Sequence, residues 1–209
     1  MYIPKINLET DRDEIISFMK QFSFATIITA KDGCPIATHL PFFITERDNN
    51  IILTSHFAKA NEHWMDIVSN NVLVIFSEPH AYISTNNYSR EMEVPTWNYV
   101  SIHAYGKGKL IMESEKVFNV LEQTIDTYES SYQSKWKNFP NDYKTRMVNG
   151  IMAFEILVTE TQAKKKLSQN KTIEERQRIA ESLSQTSNTN NELIAGFIWD
   201  GLLKKNKGK

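Results

Sequence analysis

Thr54 to Trp64 reads TSHFAKANEHW and gathers two histidines, a lysine, an asparagine and a tryptophan at one place in the chain. Side chains of these types could ligate a metal, grip an anionic ligand, or simply close a junction between a strand and a helix. His56 and His63 stand seven apart on different local structures, and no HxxxH or HExxH pair occurs. His39, His80 and His103 fall in three further segments, so the spacing gathers no metal site and predicts histidines hydrogen-bonded at strand ends. Cys34, the single cysteine, excludes an intramolecular disulfide and any multi-cysteine zinc or iron–sulfur site. Its setting in KDGCP suits a small residue beside a turn.

Other chemistries lack their motifs. There is no GxSxG, Walker A or GxGxxG, and seven glycines leave little for a glycine-rich phosphate cradle. What remains is a series of polar and aromatic clusters, THLPF, TSHFAKAN, HAYIS, VPTWNY and KLSQN. Hydroxyls, amides and a cation beside tryptophan and tyrosine suit a flat aromatic ligand with an anionic tail. Each aromatic taken alone is equally at home as a half-buried packing residue.

The elements that must position these clusters read as follows. Thr10 is placed to cap a helix with Asp11, Asp13 and Glu14 in its first turn and Ile15, Phe18, Met19 and Phe22 on one stripe. Apolar runs Phe24–Thr29 and Ile36–Ile44 flank Asp32-Gly33, which predicts a hairpin. ERDNN makes a second turn and Ile51–Ser55 a third strand, ending where the opening stretch begins its own turn. Asn61–Ser69 reads as a short helix carrying His63 and Trp64 as packing residues, and VLVIF, Val72 to Phe76, as a strand buried on both faces. A long strand opens at Thr96, with Val100, Ile102 and Ala104 alternating against Ser101, His103 and Tyr105. Glu113–Ser131 is a helix with an apolar stripe. Ile151–Leu157 is a strand, KKKLS ends another, and TIEE starts a helix at Thr172 with a capping box. SQTSNTNN reads as a polar linker before a helix over Glu192–Leu203. Six or more antiparallel strands with a few helices predict an α+β protein, mainly β, built as a small barrel with helices over its ends.

The bulk composition narrows partners. The formal net charge of −1 supplies no global field for nucleic acid or a membrane surface. The best helix-turn-helix pair, Thr172–Leu183 and Glu192–Lys205, carries mixed charge on its first member and a polar linker. Lys204, Lys205, Lys207 and Lys209 form a basic tail. With no secretory h-region and no apolar stretch of membrane length, a cytoplasmic protein is expected.

The blocks MYIPK, THLPF, HFAKANEHW, VIFSEPHAYIS, VPTWNY, HAYGKGKLI and KLSQNK, in this order from Met1 to about Gln177, resemble the PaiB family. That family comprises FMN-binding negative transcriptional regulators of the split-barrel fold. The resemblance implies a split-barrel domain over 1–184, followed by a linker and C-terminal helix over 185–209 that packs on the domain or the dimer partner. It implies a homodimer with FMN in each of two clefts between the subunits. Thr38, His39 and Leu40 would meet the isoalloxazine edge, and Ser55, His56, Lys59, Ala60 and Asn61 the phosphate, with Lys59 the cation. Trp97, Asn98, Lys166, Ser168 and Gln169 would close the site from the partner subunit. One departure is YISTNNY, where members tend to read YISPSWY before a longer loop. The implied function is repression of degradative enzyme synthesis and of sporulation. The alternatives are an FMN-dependent oxidoreductase, or a haem protein using His39, His56 or His103.

Overall fold

The computed structural model describes residues 1–207, and side chains through Lys204. Lys209 and the side chains of Lys205 and Lys207, which complete the basic tail, lie outside the described residues. The chain runs β1 (Leu8–Glu9), α1 (Arg12–Gln21), β2 (Phe24–Lys31), β3 (Cys34–Pro41), β4 (Phe43–Arg47) and β5 (Asn50–Ala58). A 3-10 turn, Glu62–Met65, leads into α2 (Asp66–Ser69), β6 (Asn71–Phe76), β7 (His80–Ile83) and β8 (Thr96–Leu110). Then come α3 (Ser114–Glu129), α4 (Gln133–Asn138), α5 (Asn141–Asn149), β9 (Ile151–Lys166), α6 (Ile173–Ser184) and α7 (Thr189–Lys207). The fold is α+β, with sheet order β3-β2-β6-β8-β9-β5-β4, β1 on β9 and β7 on β8.

The chain divides into two compact units: Met1–Ile15, Phe76–His103 and Gln162–Lys209 form one, and Ile16–Ile75 and Ala104–Thr161 the other. The second unit contains both tight hairpins. Asp32 and Gly33 at φ 52° and 80°, and Asp48 and Asn49 at 51° and 61°, take the positive-φ pairs that match strand twist. The run Ile36–Ile44 is two strands rather than one. It breaks at buried Phe42, whose N–H turns to the Ser23 carbonyl at 2.9 Å. β6 lies inside the sheet as expected, but Val72, Val74 and Phe76 are fully buried while Leu73 and Ile75 are half-buried. Phe57 and Phe154 stack at 4.8 Å in this unit's core, and Val117 and Val120 of α3 pack on Ala153.

The first unit holds the helices that follow β9. Asp11, not Thr10, caps α1, accepting from the backbone N–H of Asp13 and Glu14 at 3.0 and 3.2 Å. The Thr172–Glu175 capping box forms in both directions. The expected linker shrinks to Gln185–Asn188, because Asn188 accepts from the N–H of Asn190 and Asn191 and starts α7 at Thr189. Ile179, Ala180 and Leu183 of α6 and Ile194, Ala195, Ile198 and Leu202 of α7 are buried where the two helices pack, and α7 also packs on β7. The lysines of α7 are confined to its C-terminal end from Lys204 onward, and Thr189–Leu203 carries no lysine or arginine.

Candidate functional site

In the second unit, β5 runs through Ala58 and past Ser55, where the sequence suggested it would end. Ser55, His56, Phe57 and Ala58 are held in the ladder by Phe154, Ala153, Met152 and Ile151 of β9. The chain then turns on a bond from Asn61 N–H to Ala58 O at 2.9 Å. Lys59 is pinned at both backbone atoms: its N–H donates to Gly150 O at 2.8 Å, and its carbonyl accepts from Trp64 Nε1 at 3.1 Å. Its side chain is exposed and has no ion-pair partner among the described residues, and Ala60 beside it is exposed too. A fixed backbone carrying an uncommitted ammonium suits an incoming anion.

Asn61 caps the following 3-10 turn, its Oδ1 accepting from His63 N–H at 3.2 Å. Its Nδ2 donates to Thr38 Oγ1 at 3.3 Å, so the turn and β3 meet here. Strand alternation sets Thr38 and Leu40 on one face of β3 and His39 on the other, exposed and stacked on Phe24 at 6.4 Å. Ser55 is fully buried and donates its hydroxyl proton to Pro41 O at 2.7 Å, so it ties β5 to the end of β3. His56 is half-buried, and burial lowers its pKa, which keeps the ring neutral at neutral pH. The structure therefore brings Thr38 and Asn61 together beside Lys59 and Ala60.

The role of His63 at this corner is not visible in the sequence. His63 is 3% exposed and its ring bridges two threonines, Nε2 to Thr29 Oγ1 at 3.0 Å and Nδ1 to Thr38 Oγ1 at 2.9 Å. Phe57 covers the ring, with centroids 5.3 Å apart. His63 is thus a polar joint rather than a packing residue. The partners lie 34 and 25 positions away, so no local pattern announces them.

The first unit carries the other predicted residues. KLSQN does not end a separate strand. It closes β9, which is continuous from Ile151 to Lys166. Ser168 takes φ 55°, Gln169 Oε1 accepts from Leu167 N–H at 2.7 Å, and its Nε2 donates to Lys165 O. Fully buried Asn98 donates Nδ2 to Ser168 Oγ at 2.9 Å, and Lys166 Nζ donates to Thr96 Oγ1. Trp97 is 52% exposed, and its ring meets Tyr82 and His80 of β7, each at 5.8 Å between centroids. The loop that departs from the related pattern is secured by α6. Glu175 accepts from Ser89 N–H at 2.8 Å, Arg178 donates to Asn87 O and Ser89 Oγ, and Lys171 pairs with Glu93 at 2.9 Å.

A cavity of about 550 Å³ in the second unit lies between α3 and the strands carrying Thr45, Thr54 and Glu155, and none of the predicted residues lines it. Among the described residues no three His, Cys, Asp or Glu side chains gather at metal-binding range, and no described helix is long and apolar enough to cross a membrane.

Residues 1–160 match the family described as "Putative FMN-binding domain". Over 208 residues the chain is 37% identical to the protease synthase and sporulation protein PAI 2 of Bacillus subtilis (strain 168), covering 98% of this chain and 100% of that protein. It is similar in structure to the FAD and heme binding protein from Mycobacterium smegmatis, with TM-score 0.60 and 14% identity over 77% of this chain and 73% of that one. The flavocytochrome Anf3 from Azotobacter vinelandii gives TM-score 0.62 and 12% identity over 78% and 72%. These structural likenesses show a shared fold, the split barrel.

Proposed function

This chain belongs to the FMN-binding family of the Bacillus subtilis PAI 2 protein, and on that premise we propose that it is a flavin-binding regulator that restrains protease synthesis and sporulation. FMN is the family's cofactor, and the β5 turn fits its phosphate. The observation that carries this reading is Lys59, an exposed ammonium without an ion-pair partner on a backbone fixed from both sides. Asn61 Nδ2 and the neutral His56 ring add donors nearby, Thr38 holds Asn61 by accepting from it, and Ser55 and Ala60 frame the turn. Leu40 and His39 of β3 would meet the edge of the isoalloxazine. Trp97, Asn98, Lys166, Ser168 and Gln169 would close the site from the partner subunit of a homodimer, with Trp97 offering an exposed aromatic face.

Bound FMN supplies the redox chemistry, while the chain binds and orients it. The regulatory part of the reading is supported by the name of the relative. With a net charge of −1, any DNA contact must come from a local patch.

The test is a spectrum and a titration. The protein loaded with FMN is expected to show flavin absorption, and Lys59→Ala to weaken FMN binding about tenfold by fluorescence titration, the cost of one charge-assisted contact. Equal affinity of the variant and the wild type would sink the phosphate assignment. A gel shift on DNA from upstream of protease genes, run with and without FMN and at rising salt, tests the regulator. Its absence at every salt concentration would overturn direct repression.

A further inference from the structure

Between Ala58 and Glu62 the chain leaves β5, and beside the local bonds to Ala58 O and Lys59 O the turn is tied to hydroxyls on two other strands. His63 is the centre of that support. Its ring is buried, closed off by Phe57, and bonded at both nitrogens, to Thr29 of β2 and to Thr38 of β3. Its own N–H donates to Asn61 Oδ1, and Asn61 Nδ2 donates onward to Thr38. Asn61, His63 and Thr38 close a ring of hydrogen bonds and Thr29 anchors it through His63 Nε2, so the turn is joined to two strands.

The set also orders its protons. A neutral imidazole has one N–H and one acceptor nitrogen. Thr38 Oγ1, which already accepts from Asn61, can give its proton to Nδ1, and Nε2–H then donates to Thr29 Oγ1. Asn61 is thereby held by its oxygen from one side and by one amide proton from the other, which leaves its second Nδ2 proton to point elsewhere. Burial disfavours the charged ring and Asp66 favours it, with burial the larger effect, so the ring is held neutral. Asp66 is itself paired with Lys31 at 3.9 Å.

We propose that His63 is a positioning residue for the phosphate end of the flavin site, setting Asn61 and Thr38 against Thr29 so that the Lys59 turn is formed before ligand arrives. This inference rests on the reading that the β5 turn receives the FMN phosphate. The side-chain hydrogen bonds of the network reach β3 at Thr38 and reach the turn at Asn61, so their loss is felt first where the turn meets the phosphate.

The experiment compares FMN with riboflavin, which lacks the phosphate, by fluorescence titration of the full chain. Variants are His63→Leu, His63→Gln, Thr29→Val and, as a reference, Lys59→Ala. His63→Leu is expected to weaken FMN about tenfold while riboflavin changes less than about twofold. His63→Gln, which keeps one donor and one acceptor, should recover most of the loss. Thr29→Val removes only the far anchor and should cost FMN about threefold, which keeps the test alive if His63→Leu does not fold. Equal losses for FMN and riboflavin in His63→Leu would make the role purely structural and overturn the proposal. So would a Gln variant as weak as the Leu variant, or a Thr29→Val protein equal to the wild type. If Lys59→Ala weakens FMN and the His63 and Thr29 variants do not, the positioning inference alone fails. If none of the four changes FMN affinity, the phosphate assignment itself is wrong.

Discussion

Glu14 stands at the start of α1 with one carboxylate oxygen 2.9 Å from Lys165 Nζ and the other bonded to Lys204. The bond from Lys204, and then that from Lys165, hold its pKa down to about 2 against the ordinary 4.5. A depressed carboxyl pKa stabilises the fold above the unfolded value, and the contribution drains away as pH falls from about 4.5 to about 2. Glu14→Gln is therefore expected to lower stability in urea at pH 7 by about 0.5–1 kcal/mol, reduced by the group's exposure to solvent. The difference should close by pH 2 to 3, and a constant gap across that range would refute the ionic account. The sequence marks Glu14 only as an acid suited to a helix start. Its partners lie 151 and 190 positions away, and only folding delivers them. His63 is the same lesson with the opposite chemistry: a chargeable group that the interior keeps neutral.

At the scale of elements, strand ends and glycines show where local pattern stops being informative. Both hairpin turns and the Thr172 capping box were legible, since each is settled within four residues by left-handed backbone or by reciprocal bonds. The lengths of β5 and β9 were not, because polar residues such as Ser55, His56, Lys164 and Lys165 stay extended only through cross-strand partners. Gly106 and Gly196 look alike in sequence and differ in space. A Cβ on Gly106 of β8 would lie 2.3 Å from Leu157 O, whereas on Gly196 of α7 it would meet nothing within 4 Å. Gly106→Ala should cost about 2–3 kcal/mol through backbone displacement. Gly196→Ala should instead stabilise by about 0.5–1 kcal/mol, since alanine restricts the unfolded chain and favours the helix. Chemical denaturation of the two variants checks both, and the same sign for both would contradict the packing at β8.

For the whole molecule, the question is whether the second group of predicted residues reaches the flavin from a partner. Trp97 with Tyr82 and His80 offers an exposed aromatic surface in the first unit, and a homodimer would use it. Light scattering is then expected to give twice the chain mass, and FMN affinity should fall on dilution below the dimer's dissociation concentration. A monomer that binds FMN undiminished would remove Trp97, Asn98, Lys166, Ser168 and Gln169 from the site.

The sequence by itself determined the class of fold, the hairpin turns, the Thr172 capping box and the family, because these depend on residues close together or on motifs kept in order. It also marked TSHFAKANEHW as a place to grip an anion. Tertiary structure decided how that stretch divides its labour. Strand pairing with β9 carries β5 on to Ala58, Gly150 and Trp64 lock the backbone of Lys59, and His63 joins Asn61 and Thr38 to Thr29. The pairing with β9, the bond from Lys59 to Gly150 and the bonds from His63 to Thr29 and Thr38 each close over many residues of intervening chain, and hydrogen bonds between distant segments leave no periodic trace in the order of amino acids.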